Sequence, residues 1–145
     1  VPVTSDEDAV RVLRPLVCKD REAERLAVLC IGARGGVVDA AVLTVGNDKF
    51  CIVCPKQILR YALTRSRPVA GIVLAHNHPS NDPTPSRQDI DCTQRVQAAA
   101  EAVGLRLLDH VVICDDSHKS LARMGHIDGG VAPMLLAYEP GVRGV

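Results

Sequence analysis

Residues Val69 to Ala75 form a nearly continuous apolar run that ends on His76-Asn77-His78. A run without polar alternation reads as a central strand covered on both faces. A second run, Leu105 to Cys114, is interrupted only by Asp109-His110. Between them lies a polar, proline-rich stretch, His76 to Pro85, and then a helix signal. Ser86 is placed as an N-cap, with Asp89 three residues on to reach back to its amide. Ile90, Thr93, Val96, Gln97 and Ala100 keep helical spacing, and Gly104 closes the helix.

Upstream, Thr4-Ser5-Asp6-Glu7-Asp8 reads as a helix start, with a capping hydroxyl and first-turn carboxylates. Val10, Leu13, Leu16 and Val17 continue it. Residues 25–31 read as a strand, Arg34-Gly35-Gly36 as a turn, and Val37 to Val45 as the antiparallel return. Gly46-Asn47-Asp48 is a further turn. Pro55 opens a helix that runs to Thr64. The order is helix, hairpin, helix, central strand, helix, strand. It predicts an α/β (α+β) sandwich, a mixed central sheet flanked by helices. Residues 1–128 form the expected domain, and 129–145, rich in Gly and Pro, the expected loosely packed tail.

Composition removes several classes. The 145 residues fit one domain, and 47% are apolar with 23% charged, which is not a disordered composition. Seventeen basic and 17 acidic residues cancel. Direct nucleic-acid binding therefore has no electrostatic support. With Phe50, Tyr61 and Tyr138 as the only aromatics, there is no stacking platform for single strands either. No apolar run reaches membrane-spanning length and no cleavable secretory segment stands at the N-terminus, so the expectation is a cytoplasmic protein. The six cysteines are expected to be mostly reduced, four of them among aliphatic neighbours. The Cys51-Ile-Val-Cys54 spacing has no second pair and reads as strand thiols rather than a zinc knuckle.

The chemistry concentrates after the first apolar run. In extended backbone, His76 and His78 point to the same side. Asp89 follows 11 residues after His78, and a loop of that length can return its carboxylate to the two rings. Two neutral imidazoles and one carboxylate are a normal zinc set, and three protein ligands leave a fourth position for water. That water needs a base. Asp82 sits in an exposed proline turn, and Glu24, at the start of the first strand beside Glu22, is the better candidate. Ser86 could donate to the oxygen that turns negative. The plainer readings are a loop histidine pair, a helix cap at Ser86, a capping-box partner at Asp89 and solvated carboxylates at Glu22 and Glu24. His110 is read as a group supporting the site. His118, His126 and the Arg65, Arg67 pair are read as surface.

His76-Asn77-His78-Pro79-Ser80 followed by Pro85-Ser86-Arg87-Gln88-Asp89 closely resembles the His-x-His, seven residues, Ser, two residues, Asp pattern of the JAB/MPN metalloprotease superfamily. Ile72 to Ala75, Thr93 and Gly104 to Ile113, with Ser120 and Gly125, look like its RadC branch. The resemblance covers roughly residues 5 to 127. It implies the cytidine-deaminase-like sandwich, one zinc ion per chain on His76, His78 and Asp89, and Ser86 and Glu24 in catalytic roles. It also implies hydrolysis of a peptide or isopeptide bond, with a peptide or ubiquitin-like protein as substrate. The RadC name brings two alternatives, a DNA-repair accessory or interaction module and a metal-dependent nuclease. Departures are Asn81 where the family usually has Gly, and Lys56-Gln57 in place of its usual pair. Asn tolerates left-handed backbone well enough to keep that turn.

Overall fold

The structure, a computed structural model, describes residues 2–20, 22–46 and 54–128. The expected turn at 46–48, Cys51 of the C-x-x-C spacing and the tail 129–145 lie wholly or partly outside these residues. Three helices and five strands follow in the order α1 (Asp6–Val17), β1 (Glu24–Ile31), β2 (Val37–Gly46), α2 (Pro55–Leu63), β3 (Gly71–Asn77), α3 (Arg87–Ala102), β4 (Arg106–Ile113) and β5 (His118–Ser120). The sheet order is β2-β1-β3-β4-β5. Among the described strands, only β3 and β4 pair in parallel, through the α3 crossover. The mixed sheet with flanking helices is thus the sandwich expected.

Strand alternation sorts the core into two layers. Leu26, Val28, Cys30, Ile72, Leu74 and Val112 face α2 and α3, where Ile58, Ala62, Val96 and Ala100 meet them. Ala27, Leu29, Ile31, Val73, Ala75, Val111 and Ile113 face α1, which brings Ala9, Val10, Leu13 and Val17. All seven residues of β3 are buried, as a central strand requires. His76 shares the face of Ile72 and Leu74, and therefore looks toward α3.

A bulge in β4 decides which way His110 points. Ile72 pairs with Leu107 and Val73 with Asp109, so Leu108 is the extra residue. A bulge shifts the alternation by one. Downstream of it, Asp109 falls on the α1 face, and His110, paired with Leu74, falls on the face that carries His76. Gly71 accommodates the bulge, since a Cβ there would lie 2.6 Å from Leu108 Cδ1 and 2.9 Å from Cγ. Leu108 is 1% exposed, so it would have to shift within the core. Gly71→Ala is expected to destabilise the fold by about 1–3 kcal/mol, measured by chemical denaturation.

β5 was not foreseen, because His118-Lys119-Ser120 carries no apolar pattern. It is tied down from β4. The buried Asp109 carboxylate accepts from Ser120 Oγ at 2.5 Å, from Ala122 N–H at 3.0 Å and from His110 N–H at 2.7 Å. Burial outweighs these bonds and pushes the Asp109 carboxyl up to about 6 from an ordinary 3.8. A carboxyl with a raised folded-state pKa contributes stability that is present below pH about 4 and lost as the pH climbs through 6, on the order of 3 kcal/mol. Asp109→Asn keeps the acceptor for the two amides and is expected to remove that slope, read from denaturation midpoints between pH 4 and 7.

Cys18, Cys30, Cys54 and Cys114 are free thiols, as expected, whereas Cys92 is disulfide-bonded. No helix among the described residues is long and apolar enough to cross a membrane.

Candidate metal centre

The C-terminal end of β3, the N-terminus of α3 and the start of β1 meet at one point. The strand delivers the histidines. His76 Nε2 and His78 Nε2 lie 3.0 Å apart, so the same-side reading of the pair holds. The strand runs to Asn77, two residues beyond the apolar run, which places His76 inside the sheet rather than after it.

The helix delivers Asp89, and its capping box aims the carboxylate. Ser86 Oγ accepts from Asp89 N–H at 3.0 Å, and Asp89 Oδ2 accepts from Ser86 N–H at 2.8 Å. The same carboxylate reaches both rings, Oδ2 at 3.1 Å from His78 Nε2 and Oδ1 at 3.3 Å from His76 Nε2. The cap and the site are therefore one arrangement, not competing readings. Burial works against the Asp89 charge, but the two imidazoles and the Ser86 amide hold its pKa far below the ordinary carboxylate value. Burial likewise works against a charged His78, yet Asp89, the Asp82 carbonyl and Glu24 raise its pKa.

The loop holds the second ring. His78 Nδ1–H donates to the Asp82 carbonyl at 2.8 Å. A carbonyl can only accept, so a neutral His78 presents the Nε2 lone pair to the site. Asn81 N–H closes the turn onto the His78 carbonyl at 2.9 Å with φ of 64° at Asn81. Asparagine thus takes the left-handed position as expected. Its side chain also accepts from Asp115 N–H at 3.1 Å, tying the loop to the end of β4. The Asp82 carboxylate caps Thr84 N–H at 3.0 Å.

Glu24 joins from β1. Glu24, His76 and His78 offer donor atoms that all lie within 4.8 Å of one another. What places Glu24 is Asn77, a residue the sequence reading passed over. Its side chain points away from the histidines. Oδ1 accepts from Arg25 N–H at 2.7 Å, and Nδ2 donates to the Ala23 carbonyl at 3.0 Å. The backbone on both sides of Glu24 is clamped by the residue between the two histidines.

Behind the rings, His76 Nδ1 lies 2.7 Å from His110 Nε2. Thr93 Oγ1 lies 2.5 Å from His110 Nδ1 and donates to the Asp89 carbonyl at 2.7 Å. His110 thus supports the site, as its sequence position suggested. Burial, then His76, keeps its pKa well below the ordinary imidazole value. Thr93 carries part of the RadC resemblance, but nothing in its helical spacing assigns it these hydrogen bonds.

Two surface readings need correction. His118 is held by Asp6 at 3.0 Å because β5 packs its turn against α1. Asp6, Glu7 and His118 also form a cluster of possible metal ligands. There, however, Arg123 already occupies Asp6 Oδ1 at 2.8 Å. Burial opposes the Asp6 charge, but Arg123 and His118 lower its pKa below the ordinary value. A guanidinium already pairs with both carboxylates of that cluster, Asp6 at 2.8 Å and Glu7 at 3.6 Å. Arg65 is likewise not a free loop cation. It pairs with Asp39 at 2.7 Å and stacks 3.8 Å over the Tyr61 ring, while Arg67 donates to the Val38 carbonyl at 2.7 Å.

The histidine–carboxylate donor set suits a divalent metal such as zinc in ligand type and spacing. Tetrahedral bonds of about 2.0–2.1 Å put neighbouring ligand atoms about 3.3 Å apart. His76 Nε2 and His78 Nε2 lie 3.0 Å apart, and the Asp89 carboxylate meets them through different oxygens, Oδ2 at 3.1 Å from His78 Nε2 and Oδ1 at 3.3 Å from His76 Nε2. Fold and site together define an α/β sandwich with a candidate metal-binding cluster of Glu24, His76, His78 and Asp89 at a strand end.

The RadC-like JAB domain model matches residues 3–126, and the chain belongs to that family, the RadC-like branch of the JAB/MPN superfamily. A UPF0758 protein of Caldanaerobacter subterraneus is 34% identical over 126 residues, 87% of this chain and 53% of the relative. One from Syntrophomonas wolfei is 34% identical over 128 residues, 86% of this chain and 54% of the relative. One from a Psychrobacter species reaches 46% over 90 residues, 62% of this chain and 39% of the relative. The chain spans about half the length of the first two relatives.

Proposed function

We propose that the chain is a zinc-dependent hydrolase of amide bonds, acting on a peptide or isopeptide carbonyl and holding one zinc ion on His76, His78 and Asp89. The observation that carries this reading is the convergence of two imidazole nitrogens and one carboxylate at zinc-ligand spacing, with a second carboxylate, Glu24, beside the two imidazoles. Asp89 touches both rings and is anchored by the Ser86 amide, so it is the ligand. Glu24 is the carboxylate left for proton transfer.

Bound zinc supplies Lewis-acid polarisation of the carbonyl and makes water a stronger acid. Glu24 accepts the proton of the attacking water as its oxygen bonds to the carbonyl carbon. As the C–N bond breaks, the Glu24 carboxyl returns that proton to the leaving amine. The Ser86 hydroxyl accepts one bond in the cap, and its own proton remains to donate to the oxygen that becomes negative. A cytoplasmic setting is supported by the four free thiols, though not by the bonded Cys92.

The test is to incubate the zinc-loaded chain with peptide and isopeptide substrates, and separately with single- and double-stranded DNA. Amide cleavage that stops on chelation and returns with zinc is the expected result. Phosphodiester cleavage, or salt-dependent DNA binding with no amide cleavage, would overturn it in favour of a nuclease or a DNA-repair accessory.

A further inference from the structure

We propose that Thr93 and His110 are positioning residues that fix which ring nitrogen of His76 faces the site. The direction of every hydrogen bond in the chain behind His76 follows from one fixed end. The Asp89 carbonyl and Thr93 Oγ1 lie 2.7 Å apart. Two oxygens at that distance need a proton between them, and the carbonyl has none to give. The Thr93 hydroxyl therefore spends its only proton there.

Toward His110 Nδ1, at 2.5 Å, Thr93 can then only accept. His110 carries its proton on Nδ1 and leaves Nε2 as a lone pair. That lone pair meets His76 Nδ1 at 2.7 Å, so His76 carries its proton on Nδ1. His76 Nε2 is left bare, facing His78 Nε2 at 3.0 Å and Asp89 Oδ1 at 3.3 Å, a ring of acceptors that a cation bridges, either a metal ion or, without one, the proton on His78 Nε2. The reversed chain would set the Thr93 and Asp89 oxygens lone pair to lone pair, and would aim a proton from His76 into the site.

The chain begins and ends on one residue. The Asp89 carbonyl orients Thr93, and the Asp89 carboxylate meets the nitrogen that the relay leaves bare. α3 thus supplies a ligand and, one turn later, the residue that sets the tautomer of another ligand. The bulge at Leu108 is what brings His110 to this face. Ligating histidines usually donate their second N–H to a carboxylate, a carbonyl or water. Here the acceptor is a neutral imidazole, itself fixed by a hydroxyl.

The effect on zinc rests on the hydrolase reading above, whereas the tautomer does not. The experiment reads the two separately. Nitrogen-15 NMR of the metal-free full chain at pH 8 reports which ring nitrogen of His76 and of His110 bears the proton. Both are expected as Nδ1–H in wild type and in Thr93→Ser, with mixed populations in Thr93→Val. Zinc affinity by chelator competition is expected to fall about 10–100-fold in Thr93→Val and to recover in Thr93→Ser. His76 protonated on Nε2 in wild type would overturn the proposal, even if the valine variant fails to fold. So would a Thr93→Val protein with wild-type tautomers and affinity. Wild-type chain with the expected tautomers and no zinc binding would leave the relay standing and overturn the zinc reading instead.

Discussion

His76→Ala and Asp89→Ala are expected to take the zinc content from one ion per chain to none. Each removes one of three protein donors, so the loss should exceed the roughly 10–100-fold that supporting groups contribute. The two variants differ in their side effects. His76→Ala leaves the buried His110 Nε2 without its 2.7 Å partner, at a cost of about 1–3 kcal/mol in stability. Asp89→Ala removes the acceptor of the Ser86 amide and weakens the α3 N-terminus. Asp89→Asn is the cleaner test, because an amide oxygen can still accept from Ser86 N–H while the negative charge is gone. It should still fold in the absence of metal, less stably at neutral pH because the charge favoured by the rings and the Ser86 amide is gone, and bind zinc far more weakly. Metal analysis after dialysis and a denaturation curve separate the two effects. A zinc-replete Asp89→Asn protein would remove Asp89 from the ligand set.

Glu24→Gln is expected to keep its zinc and to lose hydrolysis by about 10²–10⁴-fold, the usual contribution of a positioned acid–base group. The geometry makes this substitution informative. Asn77 grips Arg25 N–H and the Ala23 carbonyl, so glutamine at position 24 is held on the same backbone in the same place. Its side chain matches glutamate in shape but cannot take a proton from water. The metal donors belong to other elements and are untouched. Normal turnover by Glu24→Gln would assign proton transfer to another group. Loss of zinc would instead make Glu24 a ligand.

Much of the site was legible because its geometry is local. The i, i+2 spacing of His76 and His78 fixes their common side in any strand, and the Ser86–Asp89 capping box fixes a carboxylate at a helix start. Glu24 was legible as the first residue of a strand, but not as the residue between two clamped peptide groups. That clamp needs Asn77 to sit opposite Ala23 and Arg25, which is a matter of β1–β3 register. The orientation of His110 depends on a one-residue bulge, and nothing in the Leu107-Leu108-Asp109 run announces it. Arg65 and His118 looked solvated because their partners, Asp39 and Asp6, are distant in sequence, whereas Arg67 is exposed as expected. β5 escaped because three polar residues carry no strand signal, and its anchor is a buried carboxylate on the neighbouring strand.

The central claim is that His76, His78 and Asp89 hold one zinc ion beside Glu24. Anomalous X-ray scattering at the zinc edge, on crystals of wild-type protein purified without chelator, tests it most directly. One peak per chain is expected, bonded to Nε2 of both histidines and to the Asp89 carboxylate, with Glu24 outside bonding distance. Zinc-replete crystals showing no peak there, or a peak bonded to other residues, would contradict it.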